Sequence, residues 1–381
     1  MPRPRVLVVD DEAGVLRMVD RVLAPQCDVH AFRRPTQALA VAEEEPFDLG
    51  ILDIRMPEMD GFELMARLGS VQPHLDVILM TGSTDERDER LVRAIREKAF
   101  FFLTKPFDRE VLLTLVHRCL DAHRLDAENR AHVLRLEQEL RAAQAFQLSL
   151  LPERSASRGD LEVSFHYEPC SELCGDFCDY VLRDGGPGAL IVSDVSGHGA
   201  PAAMLAGMIK QAFHGAEAES FAPGVILQRI VAANRIFGDG KHLTAVCVRI
   251  QPRSKTLEYV SAGHPPGLLL RKDGTIESLE SSAPLIHPAL PEWHCEQRVT
   301  SMGKGDQLLL YTDGLIEALS VSGEEFGLER LEAVVRRLTS ITALRDAGGS
   351  SLLAGIREEL SAFTEGRPLA DDLTLLIARC L

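Results

Sequence analysis

Residues 4–12 read Pro-Arg-Val-Leu-Val-Val-Asp-Asp-Glu, an apolar run of strand length that stops on two carboxylates, Asp10 and Asp11. The same design recurs downstream. Short apolar runs at 29–32, 48–52, 77–80 and 100–103 alternate with longer amphipathic stretches such as 12–23 and 85–98. Five strand-then-helix units predict a parallel, doubly wound sheet with helices on both faces. In such a sheet chemistry gathers at the carboxyl ends of the strands. Asp10 and Asp11 follow the first strand, Asp53 the third, Thr81 the fourth and Lys105 the fifth. Three carboxylates, a hydroxyl and an ammonium therefore meet at one edge. Crowded carboxylates repel unless a cation joins them, and an oxygen-only set suits Mg²⁺. One carboxylate is then free to attack a phosphoryl donor, with Lys105 and the ion neutralising the transferred oxygens.

Val-Val-Asp10-Asp11-Glu12, Leu-Asp53-Ile-Arg-Met-Pro57-Glu-Met-Asp-Gly61, Met-Thr81-Gly and Leu-Thr-Lys105-Pro106-Phe107 resemble the bacterial response-regulator receiver over residues 4 to about 122. The resemblance implies that Asp53 is the phospho-acceptor. It implies that Asp11, Asp53 and the Arg55 carbonyl hold Mg²⁺ with help from Asp10, and that Thr81 and Phe102 form the switch pair. A sensor histidine kinase is the implied donor. The receiver is expected over 1–122.

Between Asp108 and Leu151 there is neither Gly nor Pro, so one long helix, or two in near continuity, is predicted over 108–151. Leu112, Leu115, Cys119 and Ala122, then Asp126 and Asn129, then Val133, Leu136, Leu140, Ala143, Gln147 and Leu150 keep a 3-4 spacing with a polar interruption. The pattern fits a coiled-coil seam and a homodimer; the other reading is an amphipathic helix packed on its own domains.

Beyond Pro152, strand-like runs (161–168, 188–193, 243–250, 256–262, 266–271, 306–312, 373–379) and helical ones (200–214, 222–237, 326–338, 350–363) are grouped rather than alternating. An α+β layered domain over 152–381, built on a β-sandwich, is expected. Four segments set aspartates at the edges of apolar runs, often beside Gly: Cys174-Gly-Asp176-Phe-Cys-Asp179, Ser193-Asp194-Val-Ser-Gly197-His198-Gly199, Tyr311-Thr-Asp313-Gly314-Leu-Ile-Glu317 and Ala370-Asp371-Asp372-Leu-Thr374. An all-oxygen set favours Mg²⁺ or Mn²⁺ over zinc.

Together, in this order, they resemble the PPM (protein phosphatase 2C-like) family and its SpoIIE-like branch. Phe146-Gln147-Leu148-Ser-Leu-Leu151-Pro152, Ala262-Gly263-His264-Pro265-Pro266 and Gly305-Asp306 add to the match. The resemblance implies a serine/threonine phosphatase with two Mn²⁺ or Mg²⁺ ions. Asp176, Asp194 and the Val195 carbonyl would serve one ion and Asp194, Asp313 and Asp371 the other, with Asp372 a neighbour. A water between the ions would attack phosphorus. The branch's usual substrate, a phosphorylated anti-sigma-factor antagonist, is implied with it. A phosphorylation-gated adaptor with an inactive phosphatase-like domain is the alternative. Two departures stand out: Cys174 occupies a family glycine position, and Ser-Ser-Ala-Pro284-Leu285-Ile-His replaces a glycine-rich turn.

A net charge of -16 argues against nucleic acid and anionic lipid as partners. Eight scattered cysteines form no disulfide framework. Cys170, Cys174 and Cys178 lack a fourth ligand for a thiolate metal site, so packing is the expectation. The first apolar run ends at Asp10, too short for a signal peptide, and no stretch is long enough to span a bilayer. A reduced, cytoplasmic protein is expected. His198 reads first as a loop histidine hydrogen-bonded to backbone, with assistance to the leaving serine oxygen as the other reading, and His264 as a turn residue.

Overall fold

The computed structural model describes residues 3–82, 101–197, 199–237, 240–290, 292–340 and 348–381. The predicted helix at 85–98, Phe100 and His198 lie outside them. The chain divides into two compact units, Met1–Leu136 and Glu137–Leu381.

The first unit holds a parallel sheet in the order β2-β1-β3-β4-β5. Its strands are β1 (Arg5–Val9), β2 (Asp28–Phe32), β3 (Leu49–Asp53), β4 (Asp76–Thr81) and β5 (Phe101–Thr104). Along β1 the side chains alternate. Val6 and Val8 enter a core with α1 (Ala13–Leu23) and the first turns of α4 (Arg109–Ser149), while Leu7 and Val9 enter another with α2 (Pro35–Glu44) and α3 (Gly61–Val71). Apolar residues on both faces of the strands are what a doubly wound parallel sheet requires.

The second unit is a sandwich of two antiparallel sheets, β14-β11-β10-β9-β8 and β13-β12-β15-β16-β7-β6, in which β6 is Ser155–Arg158, β8 is Phe177–Val181, β12 is Gly267–Leu270, β13 is Ile276–Leu279 and β14 is Arg298–Ser301. Seven of these strands match predicted runs closely: β7 (Leu161–Glu168), β9 (Gly188–Val195), β10 (Leu243–Gln251), β11 (Thr256–Ala262), β12 (Gly267–Leu270), β15 (Gln307–Tyr311) and β16 (Leu373–Cys380). Alternation again sorts the side chains. Leu190 and Val192 meet Leu376 and Ala378 between the sheets. Ala189 and Ile191 pack outward on α5 (Ala200–Gly215) and α6 (Pro223–Phe237). Leu375 and Ile377 pack on α7 (Leu328–Ser340) and α8 (Gly349–Phe363). The layers run helix, sheet, sheet, helix.

The single helix over Arg109–Ser149 is close to the predicted 108–151. Its apolar seam has three fates. Leu112 and Cys119 are fully buried in the receiver core. Val133, Leu136 and Leu140 are 46%, 45% and 43% exposed. Gln147 is buried, and Leu150 and Leu151 pack on the core of the second unit, whereas neighbouring Phe146 stays exposed. At its ends, then, the helix packs on its own domains, and the exposed middle is what remains for a partner. No helix among the described residues is long and apolar enough to cross a membrane.

Candidate functional sites

The receiver cluster forms where β1, β3, β4 and β5 end. Ligand atoms of Asp10, Asp11 and Asp53 all lie within 4.8 Å of one another. Lys105 donates to Asp10 at 2.6 Å and pairs with Asp53 at 2.9 Å. Asp10 also accepts the Glu12 backbone N–H at 2.9 Å. Burial pushes the Asp53 carboxyl up from its ordinary range, and Lys105 opposes that push. A Cβ at Gly61 would stand 2.3 Å from the Asp53 carbonyl oxygen, so only glycine lets α3 begin against the strand that carries Asp53. Thr81 is buried at the end of β4, its carbonyl accepting the Lys105 N–H at 2.6 Å. Phe102 is half-buried against the core beneath α2 and α3, and Arg55 is exposed.

The second site lies where acid-bearing loops of both sheets converge. Asp176 precedes β8 (Phe177–Val181); it is buried and accepts from Thr312 Oγ1 at 2.7 Å and Thr374 Oγ1 at 2.6 Å. Those threonines belong to the segments bearing Asp313 and Asp371, so this carboxylate ties one sheet to the other. Asp372 is also buried, and its two oxygens accept the backbone N–H groups of Cys170 at 2.9 Å and Gly175 at 3.0 Å. Asp371 is exposed, and its carboxylate atoms, those of Asp372 and the Cys170 thiol fall within 4.8 Å of one another. Asp194, at the end of β9, and Asp313, which opens a short turn over Asp313–Leu315, lie outside that cluster but within its electrostatic reach.

Burial, then the charges of Asp313 and Asp371, push the Asp194 carboxyl up to about 7. Burial, then Asp371, raises Asp313; burial, then Asp194, raises Asp176. Glu317 is raised by burial and by Asp313. The set is strained by its own negative charge, the condition that a multivalent cation relieves.

Backbone proximity makes the set possible. A Cβ at Gly175 would stand 2.2 Å from the Val195 carbonyl oxygen, and one at Gly314 would stand 2.1 Å from that of Asp372. Cys174, by contrast, is not among the positive-φ residues. Its place in a family glycine position therefore needs no special conformation.

Several partners were not read from sequence. Asp179 belongs to a strand rather than a loop; it is buried and anchors α5 through Lys210 at 2.6 Å and His214 at 2.9 Å. His264, expected in a turn, is buried, its Nδ1 2.8 Å from Thr244 Oγ1, and Thr244 is the cross-strand partner of Asp194. Burial holds the His264 imidazole down to about 3, and therefore neutral. Gln147 makes two hydrogen bonds to the backbone of Cys174.

A family model described as Stage II sporulation protein E (SpoIIE) matches residues 184–381, and one described as Response regulator receiver domain matches residues 6–117. The chain is 36% identical over 127 residues to the regulatory protein AtoC of Escherichia coli strain K12, covering 33% of this chain and 27% of that protein. The chain thus spans about a quarter of the length of such curated relatives. Among solved structures, the SiaA-PP2C domain of Pseudomonas aeruginosa aligns with TM-score 0.54 and 22% identity, over 65% of this chain and 98% of that one. The RsbU and RsbW domains of Rv1364c from Mycobacterium tuberculosis align with TM-score 0.51 and 23% identity, over 60% and 62%. At these identities the likeness is one of fold. Receiver elements, a PP2C-like sandwich and the family match agree: the chain belongs to the SpoIIE family of PP2C-like phosphatases and carries a response-regulator receiver domain at its N-terminal end.

Proposed function

We propose that this is a two-component response regulator whose output is metal-dependent dephosphorylation of phosphoserine or phosphothreonine on a partner protein, governed by phosphorylation of Asp53. The observation that carries the reading is the convergence of Asp176, Asp194, Asp313 and Asp371 at one end of the sandwich, where burial and neighbouring carboxylates raise the carboxyls of Asp176, Asp194 and Asp313. The donor set is all-oxygen apart from Cys170 and fits Mg²⁺ or Mn²⁺. Asp194 is the proposed shared ligand, with Asp176 and the Val195 carbonyl on one side and Asp313 and Asp371 on the other. Asp372 reaches this set with oxygens that already hold the Cys170–Gly175 backbone. Bound divalent ions supply water activation at neutral pH and charge neutralisation at phosphorus. The chain's own residues hold the ligand loops at fixed separation and keep His264 neutral beside them.

In the receiver, Asp10, Asp11, Asp53 and the Arg55 carbonyl are the proposed Mg²⁺ set. Asp53 is the nucleophile toward phosphoryl groups from a sensor histidine kinase, with Thr81, Phe102 and Lys105 as the switch. The likeness to the SpoIIE family favours an anti-sigma-factor antagonist as substrate. The exposed Val133, Leu136 and Leu140 favour a homodimer through the helix.

The test measures hydrolysis of an aryl phosphate and of a phosphoserine protein with Mn²⁺, with Mg²⁺ and with EDTA, before and after beryllofluoride treatment. Metal-dependent turnover that responds to beryllofluoride is expected. No turnover of either substrate with any metal, from folded protein, would leave the adaptor reading in its place.

A further inference from the structure

The segment 170–176 carries the site's most buried ligand candidate and is held at several of its backbone and side-chain atoms. Asp372 takes the N–H groups of Cys170 and Gly175. The Leu173 carbonyl accepts the Gly199 N–H at 2.9 Å, which ties the segment to the loop after Asp194. Two threonines grip Asp176. The remaining grip comes from the end of α4. Gln147, only 7% exposed, donates Nε2–H to the Cys174 carbonyl at 2.8 Å and accepts the Cys174 N–H on Oε1 at 3.2 Å. A primary amide paired with both the N–H and the C=O of one residue holds the two peptide groups that flank its Cα. Two residues further on is Asp176. The next residue, Gly175, packs so tightly on the Val195 carbonyl that it has no room for a methyl group.

We propose that Gln147 is a positioning residue for the metal centre. Its clasp on Cys174 makes the last turn of the helix part of the site's outer shell, so the orientation of that turn sets where Asp176 and the Val195 carbonyl stand. The helix surface around it agrees. Leu150 and Leu151 pack on the core that supports β9, and Leu150 reaches α5 at Gly207, while Phe146 and Leu148 are exposed. The turn is anchored on one side by apolar contact and linked to the site on the other by a single amide. A rotation of the turn that keeps the leucines packed breaks the clasp, and with it the geometry for ion binding. This names a regulatory input to the site proposed above and rests on that reading only in its activity arm.

The experiment uses the full chain. Mn²⁺ binding is followed by the electron paramagnetic resonance signal of free Mn²⁺, a readout independent of turnover, and the binding that Asp194→Asn retains, the receiver's share, is subtracted. Gln147→Met keeps volume and removes both hydrogen bonds. It is expected to weaken Mn²⁺ binding by about tenfold or more, the usual cost of losing a ligand-orienting partner. Gln147→Glu keeps the oxygen that accepts the Cys174 N–H and loses the donor; a smaller weakening is expected, and this variant serves if the first fails to fold. Leu148→Ala, on the same turn, should bind Mn²⁺ as wild type does. In the activity arm, kcat at saturating Mn²⁺ should stay near wild type while the Mn²⁺ needed rises. A folded Gln147→Met or Gln147→Glu with unchanged Mn²⁺ binding, whatever its stability, overturns the proposal. If wild type binds Mn²⁺ but turns nothing over, the phosphatase reading falls and the binding comparison still decides the role of Gln147.

Discussion

The charge crowding around Asp194 yields a test that runs opposite to intuition: removing a proposed metal ligand should stabilise the metal-free protein. The perturbation is Asp194→Asn. In the folded state this carboxyl is pushed up to about 7, from an ordinary value of 3.8. The folded form therefore binds more protons than the unfolded form between those limits, and its stability falls as pH rises through that window. Above pH 7 the full penalty is present, about 4 kcal/mol at about 1.4 kcal/mol per pH unit, an upper bound because neighbouring carboxylates share the strain. Asparagine keeps the shape and discards the charge. In EDTA at pH 7.5 the variant should be more stable by about 2–4 kcal/mol, roughly 1 M in urea midpoint for a unit of this size. At pH 5 only about a third of the penalty has developed, and the gain should shrink to match. The one tryptophan, Trp293, is buried in the core beneath α5 and α6 and donates to the Pro284 carbonyl at 2.9 Å, so its fluorescence reports the second unit without interference from the first. With Mn²⁺ the order should reverse, because wild type gains binding free energy that the variant lacks. A variant no more stable than wild type in EDTA at pH 7.5, or a gain equally large at pH 5, would refute the crowding argument. Equal stabilisation of both proteins by Mn²⁺ would remove Asp194 from the metal set.

Other expectations follow from the same geometry. Asp53→Asn should take up no phosphate from acetyl phosphate and Mg²⁺, where wild type gains one phosphoryl mass; intact-mass spectrometry decides. Gly175→Ala forces a methyl onto the Val195 carbonyl, so phosphatase activity should fall at least a hundredfold while acetyl-phosphate labelling of Asp53 persists; near-normal turnover would mean the loop has slack. Two residues inserted after Gln138 rotate one end of the helix by about half a turn, and should leave Asp53 labelling intact while abolishing or inverting its effect on turnover. Leu136→Asp combined with Leu140→Asp should lower the sedimentation coefficient of a phosphorylated dimer to that of a monomer; an unchanged value would free the helix seam from any pairing role.

The receiver fold and the convergence of acids at the second site were legible because the aspartates are written where strands stop. Asp10, Asp53, Asp194 and Asp313 each close an apolar run, and an apolar run is the strongest local signal a sequence offers. What the sequence hid was partnership across distance. Gln147 looked like a polar position in a coiled-coil seam, since nothing in its neighbours points to a peptide 27 residues on. Asp179 shares a motif with Asp176 but faces a helix, because successive strand residues differ in the face they present. The strand Phe177–Val181 was masked by Asp179 at its centre, and the short strands Ser155–Arg158, Ile276–Leu279 and Arg298–Ser301 lack an apolar run altogether. Phe146, which sequence groups with the leucines after it, is exposed, whereas Leu150 and Leu151 lie past the helix end at Ser149, where the chain leaves the helical path and packs them inward.

The acidic mouth of the sandwich also bears on how a substrate arrives. A phosphate monoester is a dianion, and a chain of net charge -16 with carboxylates converging at its site repels it at long range. Cations seated there would reverse the local field, so under the proposed function an ion at this site would decide not only whether a captured phosphate reacts but whether one is drawn in at all. Association with the metal-free form should quicken as salt rises and the repulsion is screened; with the loaded form, that dependence should weaken or change sign.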